Sequence, residues 1–218
     1  MHVCVPHARK EEETYNIMTT KPLILLIGPS GSGKTTLANA LSRDYGLRQL
    51  ASYTDRPRRS ADEIGHTFVS KEEFNKLCQD MAAYNVFNGH QYGATYQQLD
   101  HADIYVVDIP GYWDLMRHYR NRPFLTFVLG ATSNVCAQRM RRRGDSDEMV
   151  QKRLENDAKA FAGMYDLPAV RLDAACPIRR LEERISSILL QYSGNGIIHS
   201  SVSASPETDR LKESMITE

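Results

Sequence analysis

The run "LILLIGPSGSGKTT", residues 23–36, constrains this chain more than any other stretch. Its first five residues, Leu23–Ile27, form a short continuous apolar run ending in glycine, the pattern of a strand buried on both faces of a parallel sheet. Behind it Leu37, Ala40 and Leu41 recur at helical spacing, and "DYGL" supplies a helix stop at Gly46. Between strand and helix stands Gly28-Pro29-Ser30-Gly31-Ser32-Gly33-Lys34-Thr35, followed by Thr36, which fits G-x-x-x-x-G-K-[ST] in its required context. Glycines let successive backbone N–H groups turn toward one anion, and the helix start adds its dipole. Lys34 can reach the β- and γ-phosphates of a nucleotide, and the Thr35 hydroxyl can ligate Mg²⁺.

Further strands read at "QLASYT", "AAYNVF", "DIYVVDI", "FLTFVLG" and "AVRL", separated by helical stretches at 71–79, 95–101, 111–119, 132–142, 146–163 and 177–191. Strands alternating with helices imply an α/β fold, a parallel sheet covered by helices on both faces. Ligands in such folds sit at the carboxyl ends of the strands, so the phosphate loop, "SYTDRPRR" and "DIPG" are expected to emerge on one edge. Asp108 ends the run "IYVVD", where a carboxylate can reach a metal or its waters; the alternative is a cap for the following turn.

Composition narrows the function classes. Lysine and arginine total 27 and so do aspartate and glutamate, so no global basic field marks a generic partner for nucleic acid or anionic membrane. Cys4, Cys78, Cys136 and Cys176 are widely spaced with no CxxC pair, which argues against a zinc site or a disulfide framework and fits a reducing compartment, the cytoplasm. No apolar run approaches the ~20 residues that span a bilayer, and the opening stretch lacks the apolar core of a signal peptide. Residues 1–20 are expected to form a disordered extension, with Met18 an alternative start, and the Ser-rich 193–218 a disordered tail.

Arg56, Arg58 and Arg59 cluster at a strand end beside Pro57, and guanidinium forks of this kind can hold a second phosphate bidentately. At this point the chain resembles the guanylate kinases from the phosphate loop through the last helix. Those enzymes carry S-x-T-T-R-x-x-R, then a glycine and "Y-x-F-V"; here stand Ser52, Thr54, Arg56, Arg59, Gly65 and "HTFV" at 66–69, then an "S-x-E-E-F" helix start at 70–74. Their "F-x-G-x-x-Y-G" is matched by Phe87, Gly89, Tyr92 and Gly93, and "RRRGDSDEMVQKRLENDAKAF" is similar to their lid, with Arg143 before glycine and Arg153 in "KRL".

The resemblance implies a P-loop NTPase-type domain over residues 21–192, with a nucleoside-monophosphate-binding insertion at about 52–95 and a helical lid at about 139–157. It further implies phosphoryl transfer from Mg·ATP to a nucleoside monophosphate, GMP or dGMP first. In that scheme Arg143 and Arg153 act on the transferred group, Lys34 and Asp108 complete the catalytic set, and Thr35 and Asp108 hold the metal. Ser52, Arg56, Arg59, His66 and Tyr92 line the acceptor site. Arg139, Arg141 and Arg142 read as solvated helix positions. The expected partner is a small-molecule nucleotide, with no nucleic acid and no membrane, for a monomer or weak dimer.

Several departures fall on one task. Where the family places a guanine-reading glutamate this chain has Ala83; the small hydroxyl residue after "Y-G" is Ala94, the second Asp of "D-x-D" is Pro110, and the tyrosine before "x-F-V" is His66. Asn85, Asn88 and Gln91 are candidate substitutes for reading a base, or ordinary loop surface. His90, His101 and His118 have no metal-ligand spacing and are expected on the surface. Rival classes are a switch GTPase, for which "DIPG" fits D-x-x-G but no N-K-x-D follows, and a noncatalytic guanylate-kinase-like interaction module, against which Lys34 and Thr35 argue. A P-loop kinase for another nucleotide or a small phosphorylated metabolite is the remaining alternative.

Overall fold

The computed structural model describes residues 21–58, 61, 63–87 and 89–195; the expectations for Arg59, Asn88 and both chain ends lie outside them. In chain order the strands are β1 (Leu23–Ile27), β2 (Ser52–Thr54), β3 (His66–Phe68), β4 (Met81–Phe87), β5 (His90–Thr95), β6 (Ile104–Val106), β7 (Phe124–Gly130) and β8 (Val170–Asp173). The helices are α1 (Lys34–Tyr45), α2 (Lys71–Leu77), α3 (Tyr96–His101), α4 (Ile109–His118), α5 (Ser133–Arg142), α6 (Asp147–Ala160) and α7 (Ile178–Asn195). The last helix thus runs past the expected domain boundary at residue 192.

The strands form two sheets. The first has the order β6-β1-β7-β8, with β7 and β8 parallel from Phe127↔Val170 to Gly130↔Asp173. All five residues of β1 are fully buried, as its uninterrupted apolar run requires. The second sheet, β3-β2-β5-β4, corrects the expectation that the "SYT" of "QLASYT" and "AAYNVF" belong to the parallel sheet, although Gln49 at the start of the first run does bridge Ile104 of β6 in parallel: β2 and β3 are parallel, but β5 is antiparallel to both β2 and β4. Neither β3 nor β5 was anticipated. The chain forms two compact units: one takes the chain to Leu25 together with Leu41–Leu125, the other Leu26–Ala40 together with the chain from Thr126 onward.

Within the first unit, α2 starts on a capping box in which Ser70 and Glu73 exchange side-chain and backbone hydrogen bonds. Its Phe74 packs with Cys78 and Met81 as a small core, backed by Tyr53, Val69, Leu77 and Tyr84. Asp103, 6% exposed at its side chain, is held by the Arg48 N–H at 2.9 Å, Arg48 Nε at 3.1 Å and Lys21 Nζ at 3.1 Å. Burial works to raise its pKa, but these donors prevail and hold it below the ordinary aspartate value. Within the second unit, α5 and α6 each begin at a hydroxyl cap, Thr132 on Val135 N–H and Ser146 on Met149 N–H. Cys136 and Cys176 are free thiols, whereas Cys78 is disulfide-bonded, which counts against the reducing compartment expected from the cysteine spacing.

Candidate functional site

In the second unit the loop 28–33 joins β1 to α1. The first backbone bond into the helix runs from Leu37 N–H to Gly33 O at 2.9 Å, so the N–H groups ahead of it stand at the helix start without intrahelical acceptors. Gly31 has φ 77°, and a Cβ there would come within 2.6 Å of Cys136 O, so only glycine fits. Lys34 Nζ donates to Gly28 O and, at 2.8 Å, to Pro29 O, folded onto its own loop and lying 5.9 Å from the centroid of the Phe161 ring. Ser32 is buried, and its Oγ has no hydrogen-bond partner. An orphaned buried hydroxyl inside a glycine loop at a helix start is the donor set a phosphate chain completes. Thr35 is exposed at the first turn of α1. No cluster of three acidic, His or Cys side chains able to hold a metal occurs among the described residues. Mg²⁺ bound through substrate phosphates needs only one or two protein ligands, so Thr35 and one carboxylate suffice.

The helices following β7, in the same unit, carry further charged groups. Arg143 caps the end of α5 and donates to Asp145 Oδ2 at 2.7 Å; Arg153, mostly buried on α6, lies 3.8 Å from the same oxygen. Asp145 thus brings together the two arginines singled out from sequence. Arg139 departs from expectation. It does not extend into solvent: Nη1 donates to Gly31 O and Ser32 O at 3.3 and 3.1 Å, and Nη2 donates to Ala174 O at 2.6 Å. The signal was available, since Arg139 stands beside the apolar stripe Cys136, Ala137 and Met140, whereas Arg141 and Arg142 are exposed as expected. Asp157 of α6, also unforeseen, accepts the Ser30 N–H at 2.6 Å.

In the first unit the mixed sheet presents a second set of groups. Directly paired residues share a face and alternate residues do not. Thr54 is paired with Phe68 and Tyr92, Tyr92 with Asn85, Ala94 with Ala83, and Ser52 with His66, so all of these lie on one face. Ser52 Oγ and His66 Nδ1 are 2.9 Å apart, and the His66 ring meets Tyr92 edge-on at 5.6 Å. Gln91 belongs to the opposite face, where it bonds Asp55 and Asn75 and accepts from Tyr84; it is removed as a candidate base reader on the Tyr92 face.

Arg56 is 6% exposed, and its guanidinium forks onto Glu63 at 2.6 and 3.0 Å while stacking 5.0 Å from the centroid of Phe68. Burial disfavours its charge, yet Glu63 and Tyr92 outweigh this and hold its pKa above the ordinary arginine value. Its Nε has no partner. Arg58 extends over the same Phe68 ring at 4.3 Å.

Ala83 and Ala94 are 1% and 0% exposed, so the position at which the resemblance led to the expectation of an acidic reader is buried and apolar. Asn85 lies on a strand rather than a loop, and its Nδ2 donates to Asp108. Asp108 caps α4 by accepting the Gly111 N–H at 2.9 Å, with Pro110 in the first turn, where its missing N–H costs nothing. Of the two readings of Asp108, the cap is therefore what its carboxylate does here. Of the three histidines expected on the surface, His101 is exposed, while His118 is half-buried and His90 lies 3.5 Å from Asp55.

The phosphate loop between a buried strand and a helix, with the sheet and helices around it, defines an α/β fold of the P-loop type. The family model for guanylate kinase matches residues 19–187, and the chain belongs to the guanylate kinase family. A guanylate kinase from Polaromonas sp. is 32% identical over 152 residues, covering 64% of this chain and 73% of that protein. A ribose 1,5-bisphosphate phosphokinase PhnN from Agrobacterium fabrum is 31% identical over 185 residues, 79% of this chain and 98% of that protein. Among solved structures, guanylate kinase from Anaplasma phagocytophilum superposes with a TM-score of 0.60 at 21% identity, covering 80% of this chain and 87% of that one. No described helix is long and apolar enough to cross a membrane.

Proposed function

We propose that this protein transfers the terminal phosphoryl group of ATP to a phosphorylated acceptor, a nucleoside monophosphate with GMP or dGMP first. The observation that carries this reading is the convergence of Arg143 and Arg153 on Asp145, in the same compact unit as the phosphate loop. Phosphoryl transfer is chiefly alignment plus neutralisation of charge on the moving group. An acceptor phosphate oxygen bonds to the γ-phosphorus as the β–γ bridging oxygen leaves on ADP. Loop N–H groups and Lys34 hold the β- and γ-oxygens, and Lys34 must leave the Gly28 and Pro29 carbonyls to do so. Thr35 and, were it released from its cap on α4, Asp108 would hold Mg²⁺, which would supply neutralisation of phosphate charge. Arg143 and Arg153 exchange Asp145 for the equatorial oxygens of the transferred group.

On the acceptor side Arg56 and Arg59 hold the phosphate with Tyr92, beside Ser52 and His66. Glu63 then stands in for that phosphate, and the orphaned Arg56 Nε is the donor it leaves unused. The lid is the segment 139–157. A second reading, a phosphorylated sugar as acceptor, draws on the buried Ala83–Ala94 pair, which offers a base no polar atom, and on the likeness to the Agrobacterium sugar kinase. Purified protein given Mg·ATP with GMP, dGMP, AMP, UMP, dTMP and ribose 1,5-bisphosphate in turn separates the two. ADP release with none of the nucleotides sinks the first.

A further inference from the structure

We propose that Asp157 is a positioning residue for phosphoryl transfer, a clamp that fixes α6 to the phosphate loop and thereby sets where Arg153 stands. This rests on the reading of Arg153 as a residue that acts on the transferred group. Asp157 is 4% exposed, and its Oδ2 accepts the Ser30 N–H at 2.6 Å, joining positions far apart in sequence. A buried carboxylate is costly unless paired, and an apolar side chain would fill such a place more cheaply. What the carboxylate adds is direction: a short charge-assisted bond to a backbone N–H that no substitution of Ser30 other than proline removes.

Packing alone does not define the helix position at this point. A cavity of about 270 Å³ lies beside Asp157, lined also by Pro29, Cys136, Leu154, Ala158 and Phe161. The contact between α6 and the loop therefore depends on a polar bond at Ser30, supplemented by the Phe161 ring near Lys34 Nζ. Arg153 precedes Asp157 by one helical turn, so the two lie on the same side of α6, separated by about 6 Å of helix rise. Fixing one fixes the origin of the other. Arg153 is long, and among the described residues its ion pair is the 3.8 Å approach to Asp145. Its head group reaches a transition state in register only if its helix is held against the loop that holds the phosphates. A displacement of about 1 Å in such a group costs up to ~100-fold in rate.

The test is steady-state kinetics on Asp157→Ala, Asp157→Asn, Arg153→Ala and the double variant Asp157→Ala/Arg153→Ala, each checked by thermal melting. Asp157→Ala is expected to lower kcat by roughly 10- to 100-fold with acceptor KM changed less than about 2-fold. Asp157→Asn, which keeps an oxygen to accept Ser30 N–H, is expected to recover to within about 3-fold of wild type, since the bond's geometry rather than its charge is what positions the helix. In the Arg153→Ala background the Asp157→Ala change is expected to add less than about 2-fold, because both act through one side chain. Multiplying effects, or an Asn variant as impaired as the Ala variant, overturns the clamp while leaving the kinase reading intact. An Arg153→Ala variant with wild-type kcat overturns the role of Arg153 itself, and the clamp with it.

Discussion

The phosphate loop and the mixed sheet β3-β2-β5-β4 handle charge by different means. The loop is built from backbone: Gly31 is required by its φ and by the nearness of Cys136 O, and N–H groups without intrahelical acceptors stand at the start of α1. The sheet is built from side chains: Arg56 with Glu63, Ser52 with His66, Tyr92 against His66, and the small Ala83 and Ala94 opposite each other. Backbone recognition depends on shape, which few substitutions preserve, so the loop conforms closely to its pattern. Side-chain recognition can be rewritten one residue at a time without disturbing the strands, and this sheet holds Ala83, Ala94 and His66, three of the four positions that depart from the motifs of the resemblance.

The largest expected effect probes the backbone side. Lys34→Ala should abolish measurable transfer while the melting temperature stays near wild type, because the Lys34 ammonium bonds carbonyls of its own loop and lies over an aromatic face at the helix start, away from the packed core. Retention of most of kcat would place the donor grip elsewhere. Arg143→Ala comes next: an arginine acting only in the transition state can supply ~10³–10⁵ in rate, so kcat should fall by orders of magnitude with KM much less changed. If instead acceptor KM alone rises, Arg143 belongs to the acceptor.

Two smaller effects concern the side-chain region and its unit. Restoring an acid by Ala83→Glu puts a carboxylate at a 1% exposed site facing Ala94, and should destabilise by about 3 kcal/mol or more, read as a lowered urea midpoint. An unchanged midpoint would mean the site opens to solvent, contrary to its burial. Asp103→Asn should cost about 1–3 kcal/mol, since charged hydrogen bonds from Arg48 and Lys21 are weakened. With its pKa depressed in the folded state, Asp103 contributes its full stabilisation above the ordinary aspartate pKa and loses it as pH falls through the lower folded value. The wild-type and Asn midpoints should therefore converge on acidification, and a gap that widens toward low pH contradicts the sign.

How much of this could be read from the chain follows the same division. The strand LILLI, the glycine loop and the amphipathic helices are local patterns, and they stand where periodicity and caps put them. The β4–β5 hairpin was missed although Asn88-Gly89 between β-prone runs is a strong hairpin signal; the segment reads as one loop when only its motif is considered. Strand β3 is three half-buried residues, too short for alternation to register. Glu63, Asp145 and Asp157 escaped because carboxylates that partner arginines or a loop N–H are chosen by tertiary approach, and nothing in the spacing of a lone acid announces it. Arg139 was lost inside a basic run, where one side chain of four turns inward.

The central claim is that the phosphate-gripping half keeps its family's chemistry while the acceptor-reading half has changed. It is tested most directly by kcat/KM for GMP, dGMP, AMP, UMP and dTMP under saturating Mg·ATP. A site that reads its substrate through buried polar groups discriminates by ~10⁴–10⁵, whereas Ala83 and Ala94 offer no such groups. The account predicts measurable transfer to a monophosphate with guanine favoured by well under ~10⁴ over the next base. A guanine preference above that range, or no transfer to any of the five, would contradict it.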